Sequence, residues 1–217
     1  MKPTIAIFLH HPECSEDCVD GMTAALGEHY TIKTFDMDEC NSATFDGVDI
    51  VAFPGGIGEA AAYDSFFRRK AQNAVADYVA NGGRYLGICM GAYWAGSYYF
   101  DILHNVDATN YIKRPNSDIK RSYGTVAPVL WNGTLENMFF YDGCALVGDL
   151  TKFETIATYA NGDAAAIIQG RVGIIGPHPE SQEYWYEAPY KYINQHWHNG
   201  AHHKLLLEFV NKLMKQQ

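Results

Sequence analysis

Basic residues are scarce in this chain: 16 Lys and Arg stand against 25 Asp and Glu, a formal net charge of -9. That balance opposes nucleic acid and anionic membrane surfaces as default partners. Cysteine is sparse as well, five residues with no repeated spacing. An odd, unpatterned set argues against a disulfide framework and for a reducing compartment, the cytoplasm. A long apolar run is missing from the start, where Met1-Lys2-Pro3-Thr4 leads into an apolar stretch of residues 5–9 only. That is too short for a signal-peptide core or a membrane span, and it reads as the first strand of a soluble protein. No linker-like run breaks the chain. What is present, 217 residues at 47% hydrophobic and 19% charged, is enough to bury a large core as a single domain over residues 1–217.

The periodicity is that of an α/β protein. Residues 4–9, 30–35, 50–53 and 84–88 read as strands, with helical stretches at 17–26 and 65–81, the second closed by Gly82-Gly83 as a C-cap. Alternation of strand and helix implies parallel strands in a doubly wound, mostly parallel, flavodoxin-like sheet, whose ligands sit at the carboxyl ends of the strands. After Asp107 the pattern changes to added β-hairpins, with turn signals at Asn132-Gly133, Asn161-Gly162 and Gly170-Arg171. Residues 204–215 close the chain as an amphipathic helix.

Three segments carry chemistry. In Gly87-Ile88-Cys89-Met90-Gly91, a strand turns into a helix that runs through Tyr93 and Trp94. A nucleophile raised on such a turn is crowded and strained, so small residues are needed two before and two after it, and both are Gly. The helix start would favour thiolate over thiol. An inert core Cys beside helix-packing glycines is the competing interpretation. Near the other end, strand residues 172–176 run into Pro177-His178-Pro179-Glu180. A His at a strand end is placed to act as base, Pro179 keeps it out of helical geometry, and Glu180 can hold the far ring nitrogen. The alternative there is a hydrogen-bonded loop histidine. In the third segment, strand residues 50–53 lead into Pro54-Gly55-Gly56-Ile57-Gly58. The N–H groups of Gly55 and Gly56, with that of Met90, form a candidate oxyanion site. The loop has neither the Gly-Lys-Ser/Thr ending nor the full dinucleotide fingerprint that phosphate binding would require.

In this order, the Pro-Gly-Gly loop, the G-x-C-x-G elbow and the His-x-Glu resemble the class I glutamine amidotransferase-like superfamily. More narrowly, Phe53-Pro54-Gly55-Gly56, residues 85–93 and Gly176-Pro177-His178-Pro179-Glu180 resemble the N-terminal domain of eukaryotic-type biotin-protein ligases and their stand-alone relatives. Residues 132–143 and 156–169 are similar to that family too. The resemblance implies a Cys-His-Glu hydrolase or amidotransferase-like protein: Cys89 as nucleophile, His178 as base, Glu180 as orienter, and no cofactor. It implies no biotin ligase, because the amidotransferase-like fold uses up the chain. Glutamine-hydrolysing relatives follow the elbow with His-Gln, whereas Ala92-Tyr93 stands here, which speaks against ordinary glutaminase activity and makes Tyr93 a candidate substrate contact. The substrate, a small molecule or a peptide-like amide, ester or related carbonyl compound, is not legible. A non-catalytic binding or regulatory module is an alternative. So is a redox or carbonyl-handling protein like the DJ-1/PfpI group, which places an acidic residue beside the Cys; Glu13 is the nearby candidate.

Other clusters have weaker claims. His196, His198, His202 and His203, and likewise His10, His11, Cys14 and Cys18, lack a metal-site spacing and read as surface or loop residues. Lys113, Arg114, Lys120 and Arg121 form one basic patch, read as a solvated loop or as a contact for an anionic substrate. The aromatic run Tyr184, Trp185, Tyr186, Tyr190, Tyr192 and Trp197 suits a pocket wall, a homodimer interface or simple packing.

Overall fold

The computed structural model describes residues 2–10, 15–56 and 71–216. Its strands are β1 Thr4–Phe8, β2 Thr31–Phe35, β3 Ile50–Phe53, β4 Arg84–Ile88, β5 Val106–Asn110, β6 Thr125–Trp131, β7 Thr134–Phe140, β8 Cys144–Gly148, β9 Glu154–Tyr159, β10 Ala164–Gln169 and β11 Val172–Ile175. The helices are α1 Glu16–Leu26, α2 Ala71–Ala80, α3 Met90–Trp94 and α4 Ala201–Met214. The expected helix over 65–81 lies outside the described residues for its first six positions; its remainder is α2. Ile57, Gly58, His11, Glu13 and Cys14, singled out above, also lie outside the described residues.

The sheet runs β2-β1-β3-β4-β11-β10-β9-β6-β7, with β8 joined to β10 and β5 to β8. From β2 to β11 every pairing is parallel. From β11 outward the pairings are antiparallel. The result is the expected doubly wound sheet, mixed, with added hairpins in the C-terminal half. Its parallel strands read as near-continuous apolar runs because both faces are covered: every residue of β3 and β11 is buried. On one face an aromatic cluster joins Phe8, Phe35, Phe53, Trp94 and Phe100, with Phe8 and Phe53 stacked at 5.1 Å. On the other, Gly173 leaves room for Phe209 of α4 to lie on the sheet. Full burial of a ring such as Phe53 contributes about 1.5–3 kcal/mol.

The turn chemistry behaves as expected. Asn132 and Gly133 both have positive φ, 47° and 83°, between the paired ends Trp131 and Thr134, the geometry of a tight two-residue hairpin. The C-terminal helix begins three residues earlier than its amphipathic pattern suggested, at Ala201. No helix among the described residues is long and apolar enough to cross a membrane.

Candidate active site

Strands β3, β4 and β11 lie side by side, and their carboxyl ends deliver Gly55, Cys89 and His178 to one place. At the end of β4, Cys89 sits at φ 50°, ψ -101°. That region costs a non-glycine residue of order 1–3 kcal/mol and persists only where the surroundings impose it. They do: Cys89 N–H donates to Ile175 O at 2.9 Å, and Gly91 N–H to Pro54 O at 3.1 Å. A Cβ on Gly91 would fall 2.0 Å from the carbonyl oxygen of Phe53, so only glycine allows this approach. The helix that follows is one turn long, and its Ala92 and Tyr93 N–H groups are taken up by Cys89 O at 3.0 and 3.1 Å. A five-residue helix has a correspondingly small dipole.

His178 is anchored by its N–H to Phe139 O at 2.8 Å, an isolated bridge to β7. Its Nδ1 meets Glu180 Oε1 at 2.8 Å, leaving Nε2 for another partner. The imidazole is 3% exposed and the Glu180 residue 0% exposed, so this ion pair is shielded from water. Burial by itself would push the His178 pKa down. The Glu180 and Cys89 charges and hydrogen bonding with the Cys18 and Cys89 thiols outweigh it, holding the imidazole well above its usual range.

The linkage follows from that sign. With a folded pKa above the unfolded value, the stability the pair contributes is fully present below about pH 6.5. It is lost as pH rises through the folded value. Thermal unfolding followed upward from about pH 6 should show this decline in the wild type and a flatter profile in Glu180→Gln; identical pH profiles would contradict it.

Cys18, which its spacing suggested was a surface or loop residue, is instead buried on α1 beside His178. Its sulfur, a His178 ring nitrogen and a Glu180 oxygen all lie within 4.8 Å of one another. A Cβ on Gly55 would come 2.7 Å from His178 Cε1 and 2.8 Å from Cys18 Sγ, so this loop must be glycine for α1 and the histidine to meet. Burial pushes the Cys18 thiol up in pKa. Two thiols of different character therefore flank one imidazole: Cys18 on a regular helix and Cys89 on a strained elbow. Gly56 is half-buried beside Gly55 and Met90 is buried at the start of α3.

Tyr93 is turned toward the β7–β8 turn, where its hydroxyl donates to Asp142 O at 3.1 Å. Asn110 Nδ2 holds the same residue through Asp142 Oδ1 at 2.7 Å. The turn so pinned places Tyr141 O 3.4 Å from Cys89 Sγ, and Cys89 is only 7% exposed.

The C-terminal histidines support the site from behind. His198 Nε2 and Ser181 Oγ are 3.2 Å apart, and His203 Nε2 and Ser181 O are 3.0 Å apart. Burial, His202 and His203 hold the His198 pKa down to about 3, as expected of a neutral, packed imidazole. His202 is buried and faces Glu136 at 3.2 Å. His198, in the loop before α4 as its spacing suggested, and His203 on α4 both meet Ser181 next to Glu180, whereas His202 is a buried helix residue and not a surface group. In the aromatic run, Trp185 packs edge-on to His178 at 5.6 Å and to Phe139 at 5.2 Å, while Tyr186 is buried. In the basic patch, Arg114 pairs with Asp163 at 2.7 Å and Arg121 lies over Tyr123 and Tyr192.

An elbow thiol, a buried His-Glu pair and a glycine loop thus stand at the ends of three parallel strands. Residues 10–107 match the family described as Biotin-protein ligase, N terminal. The whole chain is similar in structure to PurLQS from Thermotoga maritima, at TM-score 0.67 and 14% identity, covering 98% of this chain and 100% of that one. This is the class I glutamine amidotransferase-like fold. Within it, residues 10–107 form a region similar to the biotin-protein ligase N-terminal domain. A glutamine amidotransferase from Thermotoga maritima is similar over 100% of both chains at TM-score 0.67 and 9% identity. A glutamine amido transferase from Methylobacillus Flagellatus is similar over 100% of this chain and 97% of that one, at TM-score 0.60 and 12% identity. No curated protein sequence matches the chain. Identities this low carry the amidotransferase-like fold and leave the activity to the site itself. The cluster of Cys18, His178 and Glu180 in this fold is consistent with cysteine-dependent hydrolytic chemistry.

Proposed function

We propose that this protein is a cysteine hydrolase acting on an amide, ester or related carbonyl compound, with Cys89 as nucleophile. The observation that carries the reading is the strained Cys89 elbow beside an imidazole whose other nitrogen is held by a buried carboxylate. Cys89 attacks the carbonyl carbon while His178 Nε2 takes the thiol proton and returns it to the leaving group. Water then cleaves the thioester. Glu180 fixes the tautomer and stabilises the imidazolium, and the N–H groups of Gly56 and Met90, with Gly55 shaping the loop, receive the oxyanion. Cys89 is preferred over Cys18 because a thiol pushed up by burial in a regular helix stays protonated and is a poor nucleophile. Free thiols at Cys18, Cys40, Cys89 and Cys144 support a cytoplasmic setting.

Ala92-Tyr93 after the elbow supplies no side-chain amide for a glutamine substrate, and Tyr93 spends its hydroxyl on Asp142 O. A site that leaves substrate polar groups unpaired loses about two or more orders of magnitude in rate. The isolated protein should therefore release negligible ammonia from glutamine, whereas an electrophilic amide and carbonyl library should give a selective adduct at Cys89 by mass spectrometry. Ammonia release at an ordinary enzymatic rate, abolished by Cys89→Ala, would overturn the substrate assignment; adducts spread evenly over all thiols would overturn the nucleophile.

A second reading, a regulatory module with a closed nucleophile, draws on the Cys89 Sγ contact to Tyr141 O. It gains if no library member labels Cys89 until the β7–β8 turn is released by Tyr93→Phe. A DJ-1-like redox role would call for an acid beside Cys89. Glu13 lies outside the described residues, and the group that α1 brings to His178 is a thiol.

A further inference from the structure

Among the described residues, Glu180 uses only one of its two carboxylate oxygens: Oε1 holds His178 Nδ1 at 2.8 Å, while Oε2 is buried and has no hydrogen-bond partner there. A carboxylate oxygen deprived of water and left unmatched is costly, and its presence calls for a ligand. The nearest groups supply one. Cys18 Sγ, a His178 ring nitrogen and a Glu180 oxygen converge within 4.8 Å, and all three residues are buried. Thiolate, imidazole and carboxylate together form the mixed donor set of zinc-type ions, with bonds of about 2.3 Å to sulfur and about 2.0–2.2 Å to nitrogen and oxygen. The spacing suits one ion at their centre. Three protein ligands also leave a fourth position open to water.

We infer that Cys18, His178 and Glu180 form a buried site for a borderline-soft divalent metal, Zn2+ as the type ion, whose occupation withdraws the His178–Glu180 pair from Cys89. On binding, Cys18 gives its S–H proton to solvent, the imidazole proton moves from Nδ1 to Nε2 as Nδ1 takes the metal, and only coordination bonds form. The ring keeps its Nε2 proton and can no longer accept one from Cys89. Metal binding itself is independent of what Cys89 does; only the inhibitory consequence rests on the function proposed above.

The full chain, stripped with a chelator, would be titrated with ZnCl2 by calorimetry and with CoCl2 by absorption, alongside Cys18→Ser, Cys89→Ser and Glu180→Gln. The expected result is one ion per chain, with a thiolate-to-cobalt charge-transfer band. Cys18→Ser should lose the band and weaken Zn2+ binding by more than about tenfold, Glu180→Gln should weaken binding, and Cys89→Ser should retain both band and affinity. Circular dichroism checks that each variant is folded, and Zn2+ should raise the melting temperature of the wild type but not of Cys18→Ser. A band lost in Cys89→Ser and kept in Cys18→Ser would mean capture by the elbow thiol and overturn the site. Binding kept in both variants would place the ligands elsewhere, and no stoichiometric binding would remove the inference altogether. Slower labelling of Cys89 with Zn2+ in the wild type, absent in Cys18→Ser, tests the inhibitory consequence separately.

Discussion

His178→Ala is expected to slow alkylation of Cys89 by iodoacetamide at neutral pH by about two orders of magnitude, the lower end of what a positioned base contributes. The reason is local. Cys89 stands at the start of a helix of only five residues, so little of its activation can come from the helix dipole. The imidazole beside it, held by Glu180 at 2.8 Å, is the group able to take the thiol proton. The other described thiols provide the internal comparison. Burial pushes Cys40 up to about 12, and raises Cys18 and Cys144 as well. All three should label slowly in the wild type, and Cys40, which burial alone shifts, no more slowly in the variant. Peptide-resolved mass spectrometry reads each site in one experiment, and equal rates at Cys89 with and without His178 would dispose of an activated nucleophile.

Gly91→Ala should cost about 3 kcal/mol or more, the upper end for overpacking, and lower the melting temperature by about 6–12 °C for a chain of this size. The new methyl would meet Phe53 at three atoms, its oxygen at 2.0 Å, its carbonyl carbon at 2.7 Å and its Cβ at 2.8 Å. Phe53 cannot retreat, because β3 is paired on both sides and the ring is stacked in the aromatic cluster. Gly96→Ala is the control: its methyl would find only Tyr93 O, at 3.2 Å. Comparable melting temperatures for the two variants would show that the elbow is not packed as described.

Much of this protein was legible from local pattern. Apolar runs bounded by turn residues marked β1, β3, β4 and β11 to within a residue, and Asn132-Gly133 marked a hairpin, because side-chain alternation and positive φ are properties of a few neighbouring residues. The elbow glycines and His-Pro-Glu were legible for the same reason: each motif lies within a few neighbouring residues, although the strain at Cys89 is held in place by Ile175 and Pro54. That a helix follows Cys89 through Tyr93 and Trp94 was legible too; that it ends there was not, since a helix stops where packing stops rewarding it. Cys18 beside His178, Ser181 braced by His198 and His203, and Tyr141 O over the Cys89 thiol involve partners up to 160 residues apart. Chain order therefore marked candidate residues for reactive chemistry. Which of them meet was decided only when β11 docked beside β4 and α1 closed over the strand ends, because hydrophobic burial across the whole sheet, and not any local spacing, sets that register.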